Sequence, residues 1–223
     1  MFSMFQDLMQ GDYIDFMIQL IAKAFILLCV LPVHEFAHAW AADKLGDPTA
    51  RNLGRLTLNP LKHLDLWGSL LILFTSFGYA KPVPVNIRNF RQPKKGFALT
   101  AAAGPISNLI MALIYFFLSN LCFVSSATVF HILGSFLYSV GLINVNLAVF
   151  NLLPIPPLDG SRLFAVIIPD RYYYKMLQYE RYIMIALLVL LFTGILTAPL
   201  SLLSGLVARG IDFIASLPFQ FFS

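Results

Sequence analysis

Apolar residues in this chain come in long runs, and the polar residues gather between them. Three runs reach the roughly 20 apolar residues a helix needs to cross a hydrocarbon core: about 15–42, about 97–120 and about 128–152. A fourth apolar stretch, about 182–218, holds at least one more crossing, and Pro199, Gly205 and Gly210 are expected to interrupt it. The pattern leaves open two spans, or one span with an amphipathic C-terminal helix. A shorter run, Leu66 to Ala80, would be about 22 Å long as a helix and leads into Lys81-Pro82-Val83-Pro84-Val85-Asn86. Alternating valine and proline cannot continue a helix. Irregular backbone at membrane depth survives only when it is buried in protein or lines a wet cavity. Residues 66–86 are therefore expected to form a re-entrant, partly extended segment. The predicted fold is an all-α polytopic membrane protein, a bundle of about 4–6 transmembrane helices. Residues 1–223 are read as a single membrane-embedded domain with a core at about 14–168 and a C-terminal helical segment at about 180–222.

Composition agrees. The chain is 59% hydrophobic and 12% charged, whereas soluble domains carry about a quarter charged residues. The bilayer must be its solvent. Nine of the 15 basic residues lie between Lys44 and Lys95, and four more between Arg162 and Arg181. The positive-inside rule puts both regions on the cytoplasmic side. The net charge of +4 is thus a topology signal, and no basic helix or aromatic-rich basic pattern suggests a nucleic-acid partner. Met1 to Asp15 hold three aspartates and no basic residue, so a cleavable signal peptide is not expected. Cys29 and Cys122 sit in apolar runs without a CxxC neighbour and read as ordinary small buried residues.

The first apolar run carries His34-Glu35-Phe36-Ala37-His38. Residues four apart share one face of a helix, so two histidines at this spacing can hold one metal ion, with the glutamate beside it as general base. Three ionisable side chains within five residues of a membrane helix are costly, and by default they mark a functional site. Pro32 is expected to disturb the helix just before the motif. A zinc centre that does chemistry usually takes three protein ligands. The best third candidate is Asp159, in Asn151-Leu152-Leu153-Pro154-Ile155-Pro156-Pro157-Leu158-Asp159-Gly160, where prolines end a long apolar helix. If 66–80 is not a full span, crossings at 97–120 and 128–152 return the chain to the cytoplasmic side, where His34 and His38 also end. His63 and His131 have no partner at ligand spacing and read as surface or packing residues.

Together these residues resemble the site-2 proteases. The resemblance covers about Ile26 to Arg162. It takes in HEFAH, Gly46-Asp47-Pro48-Thr49-Ala50, Gly54-Arg55-Leu56-Thr57-Leu58-Asn59-Pro60, the KPVPVN string, Ala103-Gly104-Pro105-Ile106-Ser107-Asn108 and, about 120 residues after the first motif, NLLPIPPLDG. It implies intramembrane proteolysis with one zinc ion on His34, His38 and Asp159, and Glu35 as the base. Transmembrane proteins would be the substrates. It also implies a place beside the active site for Asn151, which could hold an oxyanion or the substrate backbone or simply bond within and between helices. Lys81, Pro82, Val83, Pro84, Val85 and Asn86 resemble the family's extended segment that pairs with unwound substrate. No inserted PDZ or appended CBS module occurs in the sequence, as in the compact prokaryotic group, which points to a multi-pass protein of a bacterial cytoplasmic membrane in contact with lipid. Two other classes remain: a metal-ion transporter, which should carry ionisable residues at several depths, and an inactive relative that binds membrane helices. Substrate identity and oligomeric state are not legible.

Overall fold

The computed structural model describes residues 9, 11, 13–75 and 80–220. All regular structure among them is helical, with no strand. The first apolar run becomes α1 (Tyr13–Phe25), a π-helical turn (Ile26–Val30) and α2 (Leu31–Lys44). The π turn is the form the expected disturbance takes. Pro32 has no N–H for the carbonyl four residues back, and the Leu31 N–H reaches back five residues to the Ile26 carbonyl, so a wider turn absorbs the proline.

A four-residue helix, α3 (Thr49–Asn52), follows, and then α4 (Leu66–Thr75). The expected re-entrant path falls partly on residues 76–79, outside the described residues; residues 80–86 beyond them are neither helix nor strand. Next come α5 (Pro93–Phe123) and α6 (Thr128–Asn151), which match the second and third apolar runs. Short helices α7 (Asp159–Phe164) and α8 (Asp170–Gln178) lead to α9 (Glu180–Phe192) and α10 (Thr197–Ser216).

The last apolar stretch breaks at a different place from the expected one. The interruption is at residues 193–196, where Gly194 takes φ +77°, a left-handed value natural only to glycine. Pro199 sits in the first turn of α10, where an N–H has no helical acceptor to lose. Gly205 and Gly210 lie inside α10. With 13 residues, α9 is about 20 Å long, too short to cross alone. Among the described residues, four helices are long and apolar enough to cross a membrane: Lys23–Lys44, Pro93–Phe123, Thr128–Asn151 and Thr197–Phe219.

The chain packs as two compact units, residues 1–103 and 104–223. In the first, Ala39, Ala50 and Val83 form a small core flanked by Leu56 and Val85. In the second, Ala112 and Phe116 of α5, Val145 and Val149 of α6, and Ala208 and Ala215 of α10 form the core. An Asn120 Nδ2–H donates to Asp212 Oδ1 at 3.1 Å, tying α5 to α10, a polar contact of the kind that holds membrane helices together. Large apolar residues such as Ile110, Ile132, Leu202 and Phe213 lie exposed, as a lipid-facing surface requires. Cys29 is exposed and Cys122 half-buried, which corrects the expectation of two buried cysteines. In a bilayer an outward-facing thiol meets lipid, so burial in protein gains it little.

Candidate metal centre

Helix α2 runs Leu31-Pro32-Val33-His34-Glu35-Phe36-Ala37-His38, and its helical repeat stacks His34 one turn from His38. Both are buried. Their Nε2 atoms lie 3.1 Å apart. Two nitrogens at zinc-ligand distance in a tetrahedron stand about 3.3–3.4 Å apart, so the pair is close to ligating geometry. His38 Nδ1 lies 2.7 Å from the Thr100 carbonyl oxygen. A carbonyl only accepts, so the ring proton sits on Nδ1 and the Nε2 lone pair is left for a metal.

Asp159 opens α7 and is buried. Helix α6 ends at Asn151, and turns through the prolines, including a cis Pro156–Pro157 bond, bring the chain to it. Ser161 fastens this entry, its N–H and Oγ–H both donating to the Leu158 carbonyl at 3.0 and 2.7 Å. Gly160 is required by space. A Cβ there would collide with the backbone carbonyls of Leu152 and Leu153, and backbone cannot yield as a side-chain tip can. Gly160→Ala should therefore push α7 off the end of α6, costing about 3 kcal/mol as severe overpacking and displacing Asp159. Thermal unfolding in detergent checks this; an unchanged midpoint would show that the turn has slack.

Among the described residues, His34, His38 and Asp159 form a group that could hold a metal ion, one ligand atom from each lying within 4.8 Å of the others. Two imidazoles and a carboxylate are a donor set that zinc takes readily. Glu35, next to His34, is buried as well, and its Oε2 accepts a hydrogen bond from the Val83 N–H at 3.2 Å.

The extended 81–86 segment is therefore held against α2. The Lys81 N–H donates to the His63 carbonyl at 2.8 Å, and the Lys81 carbonyl accepts from Arg55 Nη2 at 2.6 Å. At the far end the Asn86 N–H donates to Asp47 Oδ2 at 2.7 Å. Asp47, fully buried, also accepts from the Asn89 side chain and from the Thr49 N–H and hydroxyl. Burial alone would raise its pKa, but the hydrogen bonds from Thr49, Asn89 and Asn86 outweigh that and hold it below the ordinary aspartate value. Its contribution to stability is thus complete above the unfolded aspartate pKa of about 3.9 and is lost only as pH falls through the lowered folded value. At neutral pH this anchor is charged.

Asn151 is half-buried, with its Nδ2–H bonded back to the Leu147 carbonyl at 3.0 Å. One N–H of the amide is thereby used within α6, and the other remains for a further acceptor. His63 is fully buried, with its Nε2–H on the Thr57 carbonyl at 2.7 Å, a packing residue. His131 is exposed on α6 with its ring beside Phe123. In the sequence alone neither Asp47 nor Arg55 shows a role. The signal available was a charged residue in each of two glycine- and proline-marked loops just after the histidine helix. Thr100 gave no signal, because its backbone does the work.

The chain resembles known proteins over most of its length. The model of the peptidase family M50 matches residues 22–194. YwhC of Bacillus subtilis, a zinc metalloprotease by name, is 45% identical over 171 residues, covering 75% of this chain and 78% of that protein. Rip2 of Mycolicibacterium smegmatis, likewise a zinc metalloprotease by name, is 32% identical over 154 residues, 67% of this chain and 57% of its own length. The zinc metalloprotease MJ0392 of Methanocaldococcus jannaschii is 28% identical over 155 residues and is matched over 36% of its length. No solved structure matches. With the family model matched across the histidine helix and the LDG turn alike, and with helices long and apolar enough to span a bilayer, this chain belongs to peptidase family M50, the site-2 proteases.

Proposed function

We propose that this protein is an intramembrane zinc metalloprotease that hydrolyses peptide bonds of transmembrane substrates near the cytoplasmic side of a bacterial cytoplasmic membrane. The observation that carries the reading is the pair of buried Nε2 atoms 3.1 Å apart, in one ligand group with Asp159 and next in sequence to Glu35. His34, His38 and Asp159 hold the ion. Zinc, when bound, supplies Lewis acidity that polarises a scissile carbonyl and acidifies water.

The remaining work belongs to the chain. Glu35 takes a proton from water as general base and returns it to the leaving amine. Asn151, with one amide N–H not used in α6, steadies the carbonyl oxygen or the substrate backbone. Residues 81–86 align an unwound stretch of substrate, since a helical substrate has its carbonyls tied up and must open locally before it is cut. Pro82 and Pro84 have no N–H, and those of Lys81, Val83 and Asn86 are already bonded within the protein. Substrate pairing therefore falls to carbonyls of the segment and the Val85 N–H. This extended segment accepts more than it donates.

The test is cleavage of a model transmembrane peptide by detergent-purified protein, read with zinc content. One zinc per chain and cleavage that stops with a chelator and returns with zinc would support the reading. Metal-free protein that still cleaves would overturn it.

A further inference from the structure

Glutamate in a helix carries its carboxylate on three rotatable bonds, so adjacency to a metal ligand does not by itself aim it. The Val83 N–H lies 3.2 Å from Glu35 Oε2, and three features fix where that N–H points. Val83 stands between Pro82 and Pro84, and a residue that precedes proline is confined to extended backbone. The segment is tied at both ends, by Arg55 on the Lys81 carbonyl and by Asp47 on the Asn86 N–H. The Val83 side chain is buried against Ala39, one helical turn beyond Glu35, and Ala50. Alanine at both places keeps the segment close to α2.

We propose that the Val83 backbone N–H is a positioning group for Glu35, presented by a taut segment whose anchors are Asp47 and Arg55. The inference rests on the reading of Glu35 as the residue that moves the proton. Holding Oε2 leaves Oε1 to face water, and the Glu35 carboxylate is spared the search among rotamers before each proton transfer. It also gives the Asp47 and Arg55 loops a task, which is keeping this donor in register.

Val83→Pro removes the N–H while preserving extended backbone. A backbone ester in place of the Pro82–Val83 amide removes it while preserving the valine side chain, and Val83→Ala keeps the N–H but trims the side chain. With the zinc-loaded protein and the model transmembrane peptide, both donor-less variants should lose roughly 10- to 100-fold in kcat, the worth of a hydrogen bond to a charged group. KM should stay within about twofold and zinc at the wild-type level, and Val83→Ala, which loosens the packing but keeps the N–H, should lose clearly less kcat than either donor-less variant. Wild-type kcat in the ester variant would overturn the proposal, as would a loss confined to KM, which would assign the N–H to the substrate. A loss in Val83→Ala as large as in the ester would assign the effect to packing and overturn it too. If Val83→Pro fails to load zinc, the ester variant decides. Wild-type turnover by Glu35→Gln would instead sink the reading of Glu35 itself, whatever the Val83 variants do.

Discussion

Glu35→Gln should keep zinc and lose cleavage by roughly a thousandfold. General-base catalysis contributes about 10²–10⁴ to rate, and glutamine has the shape of glutamate without the basicity. The substitution leaves His34 and His38 in place with Nε2 atoms 3.1 Å apart, and the glutamine carbonyl can still accept the Val83 N–H that Glu35 accepts now. Metal affinity and local packing should therefore persist while proton transfer stops. Zinc per chain and the single-turnover rate with a model transmembrane peptide are the two readings. Cleavage at the wild-type rate would remove Glu35 from the chemistry. Zinc loss alongside lost cleavage would make it a ligand or a support of one.

Much of this architecture was legible in the sequence because membrane physics is demanding. A run of apolar residues long enough to cross must be a helix, so the spans at about 97–120 and 128–152 emerged as α5 and α6 with ends a few residues away. The histidine helix was legible for a related reason: ionisable groups are too costly in a bilayer to be placed there idly. Punctuation inside the last apolar stretch does not mark its own break. Pro199 looked like a break, yet proline at the start of a helix costs nothing, and the chain turns instead at Gly194, one glycine among several that only its φ of +77° distinguishes. Pro32 predicts a disturbance of the helix but not its kind, since proline can be absorbed by a kink or by a widened turn.

Less of the site's support was legible, because it is made by backbone. Nothing in the residue names says that the Thr100 carbonyl fixes the tautomer of His38 or that the Val83 N–H meets Glu35. KPVPVN is readable as extended, from its prolines, but not as a segment most of whose N–H groups are spent on its own protein. Asp47 and Arg55 act at long range in sequence, on Asn86 and Lys81. Contacts of that separation leave no local periodicity to read.

Asp159→Ala should give the opposite signature to Glu35→Gln, with zinc lost first and cleavage lost as a consequence. Two histidines alone are a poor zinc site, since three protein ligands are the usual minimum at a centre that keeps a position open, and the carboxylate supplies the only negative charge in the proposed ligand set. Removing groups that merely orient a ligand costs about 10- to 100-fold in metal affinity, so removing a ligand should weaken zinc binding by more than about 100-fold. Protein dialysed against a weak chelator should then hold well under one zinc per chain, while wild type and Glu35→Gln remain loaded. The truncation creates no collision, and Ser161 can still fasten the turn through the Leu158 carbonyl, so α7 should keep its fold and the unfolding midpoint should fall mainly by the share that bound zinc contributes. Unchanged zinc stoichiometry would move the third ligand elsewhere, and with it the reason for the LDG turn. Zinc loss without a change in fold would tie that turn, and the glycine that lets it close, to the metal.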